Sequence, residues 1–219
     1  MMTEADADLL ERLRRTDTYT LADAARRHGV GGVIDSLRPL TAASAFAGRA
    51  LTARLEYDPA KTIPLKEYGI GSLLDRVQPG DAVILDGGAL PLTAMGDLAM
   101  AMLKRRGAVG AIVNARVRDL EEIETMGFPV FALAAGITTL AGNARIVGIG
   151  EPVEIGGIRV GTGDFIAGCR GGLLAVPWAQ VGGIADHAER VTESDRQVLR
   201  GIQAGEELSE LWRRYKNLD

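Results

Sequence analysis

The apolar positions change their period along the chain. Near the start they recur at helical spacing. Leu9-Leu10-Leu13 predicts one helical turn, and Thr20-Leu-Ala-Asp23 reads as a capping box opening another, with Gly29 after His28 as its stop. Ala50-Leu-Thr-Ala-Arg-Leu-Glu-Tyr57 then alternates apolar and polar residues like a half-buried strand. Further on, short apolar runs alternate with amphipathic stretches. Ala82–Leu85 predicts a buried strand opening onto Asp86-Gly87-Gly88, and Val109–Val113 and Phe128–Leu133 predict two more. Between them, Asp97–Arg106 predicts a helix with its acid first and its cations last, closed by Gly107, and Asp119–Met126 predicts a second. Such alternation points to an α/β sheet.

The last third is richer in glycine. Val153–Val160 predicts a hairpin with a Gly156-Gly157 turn, and Asp164–Ala167 and Leu173–Val176 predict short strands, the second ended by Pro177. From about Val181 the pattern is helical and charged, with a Leu208, Leu211, Trp212, Tyr215 stripe to bury.

Composition adds bounds. The 219 residues are 47% apolar with a formal net charge of −4, ordinary globular material that argues against a general nucleic-acid surface. The single cysteine, Cys169, excludes an intrachain disulfide and a cysteine-rich zinc site, and fits a reducing cytoplasm. No apolar run reaches membrane-spanning length, and Met1–Asp8 is acidic without a signal core. His28 and His187 lie far apart with no second histidine at metal-binding spacing. Gly87-Gly88 lacks the spacing and lysine of a nucleotide fingerprint.

Candidate chemistry concentrates at two predicted helix starts. Gly96-Asp97 begins one helix, and after twenty intervening residues Arg118-Asp119 begins the next. The backbone N–H groups of Gly96, Asp97, Leu98 and Ala99 offer an anion cradle, and Arg118 can grip a carboxylate with its planar fork. Asp119, with Asp97 directly or through water, is a hard-oxygen set suited to Mg²⁺ or Mn²⁺. The alternative is that Asp97 and Asp119 merely cap helices while Arg118 pairs with one of them.

This Asp97, Arg118-Asp119 arrangement resembles the signature of the RraA-like family, which includes class II pyruvate aldolases acting on 4-hydroxy-4-methyl-2-oxoglutarate and the RraA regulators of ribonuclease E. Also similar are Pro79-Gly-Asp81-Ala-Val-Ile-Leu-Asp86-Gly-Gly88, Ile155–Asp164, Leu174–Pro177 and Ile202-Gln-Ala-Gly205-Glu. The resemblance implies one α/β domain over 1–219 with a layered β/β/α core of the swivelling type, a C-terminal helical segment at about 181–219, and homotrimers or homohexamers. It implies that Arg118 binds the carboxylate of a pyruvate-like moiety, Asp119 ligates the metal, and Asp97 orients the metal's waters. The backbone N–H groups of Gly96 and Ala99 would receive the substrate. An acid from a neighbouring subunit, Asp195 or alternatively Glu193, would complete the site. The implied activity is metal-dependent cleavage of 4-hydroxy-2-oxo acids to pyruvate, with oxaloacetate decarboxylation as a side reaction. Protein-only inhibition of ribonuclease E is one competing role, and a metal-dependent enzyme of the same architecture acting on another small acid is the other. Two departures bear on substrate choice and subunit contacts: the Gly168-Cys169-Arg170-Gly171 turn, and a short Ala89–Thr93 loop.

Overall fold

A computed structural model describes residues 3–216. The first two residues of the acidic N-terminal run, and positions 217–219 of the expected C-terminal helical segment, lie outside that range. In chain order the elements are α1 (Glu4–Arg14), α2 (Thr18–Arg27), β1 (Gly32–Ile34), β2 (Arg38–Pro39), β3 (Phe46–Tyr57), α3 (Ile70–Leu74), β4 (Asp81–Asp86), β5 (Thr93–Met95), α4 (Asp97–Arg105) and β6 (Gly110–Val117). They continue with α5 (Leu120–Met126), β7 (Val130–Ala135), β8 (Ala144–Ile149), β9 (Val153–Ile155), β10 (Ile158–Val160), β11 (Phe165–Cys169), β12 (Gly172–Val176), α6 (Val181–Gln203) and α7 (Leu208–Tyr215).

One mixed sheet organises the chain, in the order β1-β12-β11-β3-β4-β6-β7-β2, with β5 added beside β6 and β8 beside β3. Its centre is parallel: β3 with β4, β4 with β6, and β6 with both β7 and β5. Parallel strands are covered on both faces, which is why Ala82-Val-Ile-Leu85 reads as an unbroken apolar run. Val83 and Leu85 face one layer, where Leu73, Met100, Leu103 and Ile123 of α3, α4 and α5 pack. Ala82 and Ile84 face the other, against Val153, Ile155 and Val160 of the β9–β10 hairpin. The result is hairpin, sheet and helices in three layers, as the β/β/α expectation requires. A third cluster joins β11 and β12 to α1, α2 and α6 through Phe165, Leu174, Leu13, Leu21 and Ile184.

Several expected boundaries move. Asp17, not Thr20, caps α2: its carboxylate accepts from the Thr20 N–H at 2.9 Å and from the Thr20 hydroxyl at 2.6 Å. The expected stop holds, with Gly29 at φ +66° beyond the His28 cap. Strand β3 begins at Phe46 rather than Ala50, because β11 pairs with its first residues. In the terminal stripe only Leu211 is buried, pressed against Gly201 of α6, while Leu208 and Trp212 stay 51% and 55% exposed. Among the described residues, no helix is long and apolar enough to cross a membrane.

The two histidines, distant in sequence, meet in space. His28 at the end of α2 and His187 on α6 pack edge to face with centroids 5.4 Å apart, and the His187 Nε2 is shut off from solvent without a hydrogen-bond partner. Burial, reinforced by Arg190, His28 and Arg27, lowers the His187 pKa. The unfolded chain therefore takes the proton more readily than the folded one. Stability linked to His187 is complete above the unfolded pKa and is lost as pH falls through it. Between about pH 7.5 and about pH 5.5, chemical unfolding should show a larger loss of stability for the native chain than for His187→Asn. Parallel pH profiles for the two would mean that the buried imidazole is not the group responsible.

Candidate active site at the ends of the parallel strands

The site forms where β5 and β6 hand over to α4 and α5, beyond the carboxyl ends of parallel strands. Open α/β sheets generally place their ligands there. β6 ends at Val117, and the Arg118 N–H donates to the Met95 carbonyl at 3.1 Å, tying this end to β5. The chain then turns sharply. Asp119 sits in the left-handed region (φ 60°, ψ 44°), a conformation that aspartate tolerates better than most residues. Its side chain makes no capping hydrogen bond to α5. It turns back across the strand end instead.

There Asp119 Oδ2 occupies the space a side chain at position 96 would need: a Cβ on Gly96 would collide with it and lie 3.1 Å from the Arg118 Nε. The same oxygen accepts from the Arg118 Nε at 3.1 Å and lies 3.4 Å from the Asp97 N–H. Asp97 is the first residue of α4, and the preceding Gly96 provides no side-chain cap, so the first turn of α4 presents its N–H groups to the site. Asp97, Arg118 and Asp119, predicted as one set, are thus brought together. The helix-cap alternative holds in altered form for Asp119: its carboxylate leaves α5 uncapped, pairs with Arg118 and accepts from the first N–H of α4.

Two cavities meet here. One, of about 310 Å³, is lined by Gly96–Ala99 and Arg118, with Tyr68, Ile70 and Met102 supplying apolar wall. The Tyr68 hydroxyl donates to the Ala94 carbonyl at 2.7 Å, and burial holds its pKa well above the ordinary phenol range, so it is a fixed neutral wall and not a base. The other, of about 370 Å³, is lined by Arg116, Arg118, Asp119, Glu121 and Gly136–Thr138. Arg118 borders both. Thr93, 3% exposed, has a buried hydroxyl without a partner, on the wall of the first cavity and close beneath Gly136 of the second.

Asp195 is not brought to this site within one chain. It lies on α6 and forms an ion pair with Lys216, and it lines neither cavity. Glu193 accepts from Gln197 at 2.7 Å and faces Arg196 at 3.6 Å. The Cys169-Arg170 turn packs beneath Tyr19, which would obstruct any side chain on Gly171, while Arg170 borders a separate hollow with Leu120, Glu121 and Glu124. Sequence reasoning passed over Arg116, Thr93 and Tyr68. Only Arg116 carried a usable signal, since it lies two residues before Arg118 and alternate positions share a strand face.

The RraA-like family model, described as aldolase/RraA, matches residues 18–174. A Thermus thermophilus protein named 4-hydroxy-4-methyl-2-oxoglutarate aldolase is 31% identical over 137 residues, covering 60% of this chain and 76% of that one. Protein DlpA of Legionella pneumophila is 25% identical over 206 residues and 93% of this chain, which spans only 33% of DlpA's length. Among solved structures, Streptomyces coelicolor RraAS2, titled an unusual member of the RNase ES inhibitor RraA protein family, superposes with a TM-score of 0.76 at 21% identity, covering 87% of this chain and 95% of that one. The chain belongs to the RraA-like family.

Proposed function

We propose that this chain is a divalent-metal-dependent aldolase that cleaves 4-hydroxy-2-oxo acids, such as 4-hydroxy-4-methyl-2-oxoglutarate, to pyruvate. The observation that carries the reading is the Asp119 carboxylate, turned out of its own helix into the hollow left by Gly96, beside Asp97 and Arg118. The donor chemistry suits the metal. Among the described residues no group of three or more His, Cys, Asp or Glu is placed to hold a metal ion, so a cation here would rest on Asp119, with Asp97 acting directly or through water. Mg²⁺ is commonly held by one or two carboxylates, with water and substrate completing its shell. Bound there, a divalent cation would supply Lewis-acid stabilisation of negative charge on a 2-oxo acid.

The chain's own residues do the rest. Arg118 grips the substrate's carboxylate, assisted by the Leu98 and Ala99 N–H groups in the first turn of α4, the Asp97 N–H being directed at Asp119. Asp97 takes the proton of the 4-hydroxyl, directly or through one water. As that hydroxyl becomes a carbonyl, the C3–C4 bond breaks and its electron pair passes into the pyruvate enolate, which is protonated at C3. Loss of carbon dioxide from oxaloacetate leaves the same enolate, so decarboxylation belongs to the same proposal. So do a trimeric or hexameric assembly and an acid supplied in trans by Asp195 or Glu193. For Asp195 this requires release from Lys216. The acid–arginine set favours turnover over a purely protein-binding role towards ribonuclease E. A screen of 2-oxo acids for pyruvate release with Mg²⁺ or Mn²⁺ tests the whole reading.

Three substitutions divide it. Asp119→Asn keeps the shape and suits the left-handed backbone. Pyruvate release should fall by about 100-fold or more while the unfolding free energy moves by no more than about 1 kcal/mol. Activity that survives in this variant, or in excess EDTA, would end the metal mechanism. Arg118→Lys keeps the charge and loses the fork, and should lower kcat/KM by about 10- to 100-fold. Kinetics close to those of the parent would reduce Arg118 to an ion-pair partner. In Gly96→Ala the added methyl must displace the Asp119 carboxylate. Mn²⁺ affinity, read by calorimetry, should weaken about tenfold or more in a protein that still folds. Unaltered affinity would show that the Gly96 hollow does not position the metal ligand.

A further inference from the structure

Beside the proposed metal ligand stands a second arginine that the mechanism above leaves unused. Arg116 lies on β6, half-buried, in the cavity that also holds Arg118 and Asp119. Its aliphatic stem crosses Gly136: a Cβ there would come within 2.8 Å of the Arg116 Cδ and 3.1 Å of its Cβ. That crossing leads the side chain along the 136–138 segment that walls the cavity. Some other arginines of the chain are matched to acids, such as Arg12 to Asp186 and Glu189, Arg106 to Asp75, and Arg145 to Glu56. Among the described residues Arg116 has no hydrogen-bond or ion-pair partner for its guanidinium. The carboxylates sharing its cavity are Asp119, already bonded to the Arg118 Nε, and Glu121.

Arg116 is the penultimate residue of β6 and Arg118 directly follows its end, roughly 7 Å further along an extended chain. Arg118 is engaged with Asp119 while the Arg116 stem is led along the 136–138 segment, so the two forks can address the two ends of a short diacid. We propose that Arg116 is a specificity residue that receives the second carboxylate of a dicarboxylic 2-oxo acid, the first being held by Arg118. This deepens the aldolase reading and rests on it for the placement of the first carboxylate. It names the residue that reads the far carboxylate, so that 4-hydroxy-2-oxo diacids are preferred over monoacids of equal length. The apolar wall of Tyr68, Ile70 and Met102 lies in the other cavity and is left for the substituent at C4.

The test uses two five-carbon probes that differ only in the terminal group, 2-oxoglutarate and 2-oxovalerate, bound to the full chain with Mg²⁺ present and followed by calorimetry. The native protein should bind 2-oxoglutarate about tenfold or more tighter. Arg116→Gln should bring that ratio close to one, and Arg116→Lys should restore part of it. A parallel kinetic arm compares kcat/KM for a 4-hydroxy-2-oxo diacid and the matching monoacid. The diacid-to-monoacid ratio should fall about 10- to 100-fold in Arg116→Gln, with the change in KM. A loss shared equally by both substrates would show a structural role and overturn the proposal. So would equal binding of the two probes by the native chain, an unaltered ratio in Arg116→Gln, or binding of neither probe. If no pyruvate is released but the Arg116-dependent preference for 2-oxoglutarate holds, the aldolase reading fails and the dicarboxylate site stands.

Discussion

The arrangement at the strand ends depends on one contact, the seating of the Asp119 carboxylate over Gly96. It requires three things at once. Residue 96 must lack a side chain, residue 119 must accept a left-handed backbone, and β5 must be held beside β6 so that the two chain segments coincide. The Arg118 N–H bond to Met95 supplies the last condition. Once Asp119 is turned this way it cannot cap α5, and that short helix begins without a side-chain cap. The fold forgoes a contact worth about 1 kcal/mol of helix stability and gains a carboxylate facing a cavity. Local rules broken in this manner are expected where function, not stability, sets the geometry.

The layers around the site explain how it is held. The parallel centre of the sheet is buried on both faces, so its strands cannot shift register without exposing one complete apolar set. Val83, Leu85, Val113 and Ala115 fix the sheet against α4 and α5, whose first residues carry Asp97 and follow Asp119. Site residues at strand and helix ends inherit that rigidity while their polar atoms stay open to the cavities. Arg118, with half of its side chain exposed, stands between the two hollows and can address a ligand that spans both.

The outer elements show a different economy. α6 and α7 meet through Leu211 and Gly201, yet leave Leu199, Leu208 and Trp212 uncovered. Asp195 and Glu193 find partners within the same helical pair. In the single chain α6 packs on the wing formed by α1, α2, β11 and β12, and α7 packs on α6.

By itself the sequence determined the alternation of strands and helices, the limits of α4, and the residue types from which the site is made. These are local properties: apolar period, helix-end charge and glycine stops act over a few residues and are visible in any window that contains them. Asp97, Arg118 and Asp119 stood out because each lies at such a boundary, and it was the resemblance to the RraA-like family that joined them into one set. What only the tertiary structure decided were the features that depend on which boundaries meet. The need for glycine at position 96 comes from a carboxylate twenty-three positions away. The entry of Arg116 into the same cavity depends on how β6 passes Gly136, and the meeting of His28 with His187 on how α2 packs against α6. Asp17 rather than Thr20 capped α2 because the helix began earlier than its apolar period suggested. β11 and β12 were readable as short strands, but their antiparallel addition with β1 to the central sheet was not, since strand order is set by long-range burial and not by spacing along the chain.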